Sequence, residues 1–311
     1  MSQVYFVFFK IFVCLLLGFV LNKSRVLDMR GEKVLTEILL KAVLPFMIIS
    51  SSQTNFSFEE LKGMGAMFAF GTAYYALALV VSKLAYKKTK ATDDEQRIMT
   101  TCTVFANTGF VGFPLMHSLY GDRGLLLAAV FNLMYNAFFY TYGAHLISKK
   151  PHFKLSELFG STVSTASIAA IVLFVVPWRI PVFINSTISM IGDMSVPMSM
   201  MIMGSQLATV DIRKLFLDWK PYVVSAVRLM LIPAVALLAV WALGHAATIK
   251  PDTMKVMVLM CALPCGSMNV IFAEQYNTAP DLCTRIVTMS TLLMLITLLF
   301  WTRIVGIVLG G

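Results

Sequence analysis

The chain has 311 residues, of which 58% are hydrophobic and only 13% charged, and it carries a formal net charge of +9. The charged fraction is about half that of an ordinary soluble domain, and the apolar residues gather in runs long enough to cross about 30 Å of hydrocarbon, which argues against a water-soluble globular protein. The basic residues sit in short links between these runs and form no stripe on one face, so they speak for orientation in a bilayer and against nucleic-acid binding.

The first apolar run, Val4 to Leu21, has no basic amino end and no small-x-small cleavage site, and Lys10 interrupts it, so it reads as a membrane span and not as a secretory signal. Four further spans are expected at Val34 to Ser52, Met64 to Ala85, Ile98 to Leu119 and Leu125 to Ile147. Five more follow at Leu158 to Val176, Ile184 to Ala208, Tyr222 to Leu243, Met254 to Tyr276 and Leu282 to Val308. The links carry turn and charge signals, with no separate soluble domain between them. Lys and Arg number fifteen in the odd-numbered links against five in the even ones. Cytoplasmic loops collect these residues, so the odd links are expected inside and both termini outside.

Two features recur when the chain is cut after the fifth span. The second span carries Leu44-Pro-Phe-Met-Ile-Ile-Ser-Ser and the seventh Val196-Pro-Met-Ser-Met-Met-Ile-Met-Gly-Ser, each with one proline expected to break its helix. The fourth carries Asn107-Thr-Gly-Phe-Val-Gly-Phe-Pro114 and the ninth Leu263-Pro-Cys-Gly-Ser-Met-Asn269. The expected fold is therefore an all-α membrane protein of ten transmembrane helices. They form two inverted five-helix repeats, residues 1–152 and 153–311, with proline-broken helices at spans four and nine.

A helix broken inside hydrocarbon frees backbone groups that need partners from protein, water or solute. Half-helix amino ends present unpaired N–H groups and positive partial charge, which suit a carboxylate. The candidate substrate-binding residues are accordingly Asn107, Thr108, Gly109, Gly112 and Pro114 on one side, and Pro264, Gly266, Ser267 and Asn269 on the other. The alternative is a pair of ordinary proline kinks whose glycines serve close helix packing. Asn132 and Asn136 lie one turn apart and either line a polar cavity or hydrogen-bond between helices.

Among intramembrane charges, Lys41 and Asp193 each stand four residues before their repeat's proline and are candidates for a gate, a dimer contact or a surface pair. Glu37, one turn from Lys41, is placed to neutralise it. Arg228, Glu274 and Arg303 lie within about two turns of expected span ends, where long side chains reach the interface. His117 and His145 are candidates for proton coupling, but each also fits an interfacial packing role. The five cysteines and 21 methionines show no metal-ligand spacing and read as packing residues. No phosphate-binding loop, zinc-protease helix, nucleophile elbow or dinucleotide turn is present, so an enzyme is not expected.

The stretch from Asn107 to Gly121, Asn-Thr-Gly-Phe-Val-Gly-Phe-Pro-Leu-Met-His-Ser-Leu-Tyr-Gly, resembles the fourth-span signature of the auxin efflux carrier family. Leu263 to Asn277 resembles that family's ninth span, and Leu44-Pro-Phe-Met and Leu17-Gly-Phe-Val-Leu-Asn-Lys add to the match. The resemblance implies a plasma-membrane carrier that moves small organic anions by alternating access, with the substrate bound where spans four and nine cross. It also implies a homodimer, in which spans three to five and eight to ten move against a scaffold of spans one, two, six and seven. No cofactor is implied, and H+ or Na+ remain the candidate coupling ions. The central link is short, which points to the bacterial branch and to mono- or dicarboxylates such as malate or malonate. The rival readings are a sodium-coupled carrier of the bile-acid type and a membrane sensor that binds without transporting.

Overall fold

The computed structural model describes residues 2–149, 160–176, 178–209, 215, 218–244 and 249–310. The expected repeat boundary at 152/153 and the expected start of span six at Leu158 lie outside them. Among the described residues the chain is helical throughout, apart from one isolated antiparallel bridge.

Apolar runs form helices because in a dry environment every backbone group must bond within its own segment. Helix α1 (Ser2–Lys23) leads into α2 (Met29–Ser51), whose first turn is capped by the Asp28 carboxylate accepting from the Gly31 amide at 2.8 Å. Helix α3 (Phe58–Lys87) follows, and then α4 (Asp93–Val104), which starts in a reciprocal capping box between Thr92 and Glu95. The long α5 (Thr108–Ser148) bends at Gly121, where φ is +62°. Helices α6 (Thr162–Val175), α7 (Val182–Gly192) and α8 (Ser195–Ala208) come next. The chain ends with α9 (Trp219–Ala242), α10 (Pro251–Cys261), α11 (Met268–Gln275) and α12 (Pro280–Val308).

Six of these helices, α1, α2, α3, α5, α9 and α12, are long and apolar enough to cross a membrane. The segments expected as spans four, seven and nine are instead assembled from shorter pieces, and α6 has only 14 residues. The chain divides into two compact units. One comprises residues 1–64, 109–130 and 159–210, and the other comprises 65–108, 131–158 and 211–311. In the first unit, α1 lies directly on α8. A Cβ added at Gly18 would collide with the Met201 carbonyl and one at Gly204 with the Leu15 carbonyl, so the absent side chains are what let the backbones touch.

Prolines behave differently from the sequence expectation. Pro45 does not break α2, because a π-helical turn at Leu39–Val43 widens the helix just before it. The same arrangement recurs where a π turn at Val227–Leu231 precedes Pro233 and one at Thr108–Gly112 precedes Pro114. A helical proline clashes with the carbonyl four residues back, and in each case that carbonyl belongs to the middle residue of the π turn, Lys41, Leu229 or Phe110. The extra residue in the turn relieves the clash while the helix continues. Pro197, by contrast, sits in the first turn of α8 after a genuine interruption at Asp193–Met194, where its missing N–H has no partner to lose.

Candidate functional site

The interruptions of α4–α5 and α10–α11 meet within the second compact unit. Helix α4 ends at Val104 and Phe105 turns extended, with φ −95° and ψ 103°. Ala106 then pairs antiparallel with Cys265. The amide of Asn107 donates to the Pro264 carbonyl at 2.8 Å, and the amide of Gly266 donates to the Phe105 carbonyl at 2.9 Å. Pro264 loses nothing here, because only its carbonyl is used. Gly266 is required by the approach itself, since a Cβ would stand 2.8 Å from the Ala106 carbonyl oxygen.

The other freed groups at the crossing also find partners, as buried backbone must. The Cys265 amide donates to Ser290 Oγ at 3.1 Å, and the Ala106 carbonyl accepts from the Thr108 amide at 3.0 Å. Asn269 Nδ2 donates to the carbonyls of Gly266 at 2.9 Å and Phe105 at 3.2 Å, which braces both chains from one side chain. Its Oδ1 is fully buried and has no hydrogen-bond partner. The Phe105 ring is held by Tyr75, Tyr135 and Phe139 at centroid distances of 5.9, 5.7 and 5.1 Å.

Each interrupted helix thus restarts with an asparagine at its amino end. Asn107 immediately precedes the opening turn of α5, and Asn269 lies in the first turn of α11 behind Ser267. Both are buried, at 7% and 0% exposure, with Asn107 Nδ2 3.5 Å from Ser267 Oγ. Thr108 Oγ1 donates to Asn132 Oδ1 at 2.6 Å, so Asn132 ties the restart of α5 to the middle of the same long helix. Asn136 is buried one turn further along. Gly109, Gly112 and Pro114 belong to the opening of α5. The actual break is at Phe105–Asn107 and not at Pro114, because the π turn absorbs that proline.

Sequence reasoning missed Arg228. It was expected to reach toward an interface, yet it is fully buried. Its Nε donates to the Leu263 carbonyl at 2.9 Å, and its Nη1 to the carbonyls of Thr103 at 3.2 Å and Val104 at 3.4 Å and to the Tyr74 hydroxyl. The Tyr74 hydroxyl in turn donates to Val104 at 3.0 Å. One guanidinium therefore caps the carboxyl ends of both interrupted helices, where unpaired carbonyls and the helix dipole call for a cation. The signal was available, since Arg228 stands in an apolar run with no carboxylate one turn away, unlike Lys41.

Lys41, Asp193 and His117 belong to the first compact unit. Lys41 pairs with Glu37 at 2.9 Å on an exposed face, and Asp193 is exposed at the link between α7 and α8. No described ion pair joins the two. His117 lies 3.4 Å from Asp122 across the Gly121 bend. The five cysteines are free thiols, four of them buried, and no metal-ligand cluster occurs among the described residues.

Several membrane-length helices, together with two interrupted helices that cross backbone to backbone, define a multi-pass membrane protein built like a transporter. The chain belongs to the membrane transport protein family, whose model matches residues 4–164 and 155–302. It is 22% identical to an uncharacterized transporter of Methanothermobacter thermautotrophicus, over 94% of this chain and 95% of that one. It is also 22% identical to the uncharacterized transporter YfdV of Escherichia coli, over 94% of each. Auxin efflux carrier component 1 of Arabidopsis thaliana is 30% identical over 47% of this chain and 22% of its own length. The resemblance to auxin efflux carriers is thereby borne out, and the protein is a transporter and not an enzyme.

Proposed function

We propose that this protein is a secondary active transporter of small organic anions, mono- or dicarboxylates such as malate or malonate, which it moves across the plasma membrane by alternating access. The observation that carries this reading is the crossing itself. Two half-helix amino ends, each bearing a buried asparagine, offer N–H donors and positive partial charge to a carboxylate. Asn107 and Ser267 supply the side-chain donors in this reading, while Thr108 and Asn269, whose side chains already donate to Asn132 and to the Gly266 and Phe105 carbonyls, hold the two amino ends in place.

The proposed membrane topology has ten crossings, two inverted five-span repeats and both termini outside. It is supported by which links touch. Within the second unit, Lys149 pairs with Asp94 at 2.7 Å, Lys220 with Glu95 at 2.6 Å, and Arg285 with Asp218 at 3.4 Å. All of these residues lie in or beside odd-numbered links. Within the first unit, Arg123 pairs with Glu60 at 3.4 Å, and the Ile180 amide donates to Gln53 Oε1 at 2.9 Å, joining even-numbered links only. Links meet only when they emerge on the same side, so alternating crossings explain the parity. An elevator motion within a homodimer belongs to the same proposal; spans one, two, six and seven fall in one compact unit, which also takes in residues 109–130.

The test is uptake of radiolabelled malate into proteoliposomes with and without proton and sodium gradients, beside an Asn107→Ala variant. Saturable uptake lost in the variant is the expected result. Uptake untouched by the variant would remove the site from the crossing, and ligand binding without flux would identify a sensor.

A further inference from the structure

In carriers with interrupted helices, the half-helix carboxyl ends and unwound carbonyls are the places that hold a coupling cation. Here those carbonyls, from Thr103, Val104 and Leu263, already share one cation, the Arg228 guanidinium. We propose that Arg228 is a tethered counter-cation that takes the place of a coupling ion at the crossing, so that the site accepts an anion without co-binding Na+.

Three features of the structure carry this. First, the position is chemically a cation site. The last carbonyls of a helix lack intrahelical partners and together carry about half an elementary charge of negative sign; those of Thr103 and Val104 end α4, and the unwound Leu263 carbonyl just past α10 joins them on Arg228. Second, the occupant is permanent. A guanidinium stays protonated at any physiological pH and is covalently held, so it neither dissociates nor titrates during a transport cycle. It also lies in a π turn just before Pro233. Third, no carboxylate neutralises the charge. Among the described residues no acidic side chain pairs with Arg228, and its Nη2 is buried without a hydrogen-bond partner.

A fully buried cation held by carbonyl and hydroxyl dipoles alone still lacks the carboxylate that would complete an ion pair. A carboxylate at the half-helix amino ends would supply the missing half. Arg228 and its partners Tyr74, Thr103, Val104 and Leu263 all belong to the same compact unit as Asn107 and Asn269, so the charge stays with the crossing. In this scheme Arg228 is a positioning and charge-balancing residue. Its electrostatic role rests on the anion-carrier reading above, whereas its occupation of the cation place does not.

The experiment therefore has two arms. In the first, which needs no substrate, the melting temperature of the purified protein is compared in sodium and choline chloride. The wild type is expected to show no difference. An Arg228→Ala variant is expected to melt lower and to regain about 2 °C or more with millimolar guanidinium or Na+, which would refill the vacated carbonyls. A sodium-dependent rise in the wild type would overturn the proposal, as would a folded Arg228→Ala variant indifferent to both cations. If Arg228→Ala does not fold, Arg228→Lys takes its place. It keeps the charge and is expected to remain insensitive to Na+, and a sodium-dependent rise in it would overturn the proposal.

In the second arm, malate uptake by the wild type is expected to be equal with and without a sodium gradient, and sodium-driven uptake would overturn the proposal. Absence of uptake in any gradient would sink the anion-carrier reading and with it the charge-balancing role, while the melting arm still decides whether Arg228 fills the cation place.

Discussion

The amide of Asn107 and the carbonyl of Pro264, 157 positions apart in the sequence, are joined by a 2.8 Å hydrogen bond that fixes where two interrupted helices cross. This bond belongs to the backbone, and the Asn107 side chain adds to it only a 3.5 Å contact from Nδ2 to Ser267 Oγ. Asn269 differs, because its side-chain amide braces both chains. Asn107→Ala is expected to lower stability less than Asn269→Ala does and to abolish malate uptake. Asn269→Ala is expected to lower both, by about 1–3 kcal/mol for stability as two buried carbonyls each lose one of two donors. Thermal melting and uptake measured on the same preparations check the contrast. Equal melting losses in the two variants would contradict it.

Gly266→Ala tests the approach of the chains. The new Cβ would meet backbone atoms of Ala106 and Phe105 at 2.8 to 3.1 Å, and backbone cannot swing aside as a side chain does. The expected loss is about 1–3 kcal/mol with the bridge pushed open, visible as a lower melting temperature and faster amide exchange at Asn107. Unchanged exchange at that amide would mean the crossing is looser than described.

Glu95 provides a pH test at the other end of α4. The Lys220 ammonium, bonded to it at 2.6 Å, and the Thr92 amide hold its carboxyl below the ordinary glutamate value of 4.5. A carboxyl depressed in the folded state contributes stability above that ordinary value and loses it as the pH falls through the folded one. Melting temperature is therefore expected to drop more steeply below about pH 4.5 in the wild type than in Glu95→Gln, which lacks the titrating group. Parallel curves would remove the pair as a contributor.

Link parity gives a test of orientation. Cysteines placed at Arg123 and Lys149, both on exposed side chains in links of opposite parity, should react with membrane-impermeant thiol reagents from opposite faces of intact cells. The reagent outside is expected to reach Arg123→Cys and not Lys149→Cys. Labelling of both from one face would refute the alternating topology.

Much of this molecule was legible before any coordinates. Apolar runs announced helices, and the motifs around Asn107 and Asn269 marked two interruptions that the structure brings together. Local pattern failed at the prolines. Pro45 and Pro114 looked like breaks, yet a π turn of one extra residue accommodates each, and nothing in the hydropathy distinguishes that outcome from a broken helix. Pro197 looked equivalent to Pro45 and does sit at an interruption.

The sequence by itself determined that the chain belongs in a membrane, that its apolar runs are helical, and that the motifs around Asn107 and Asn269 interrupt their helices. These are properties of neighbouring residues, set by transfer of side chains out of water and by backbone groups that must bond locally. Only the tertiary structure decided what satisfies the interrupted backbones. The partners of Arg228 lie 35, 124, 125 and 154 residues away, and a hydrogen bond is directional and spans about 3 Å. A lone arginine in an apolar run is the same letter whether it reaches for an interface or caps two helix ends, and the folded path of the chain alone selects between them.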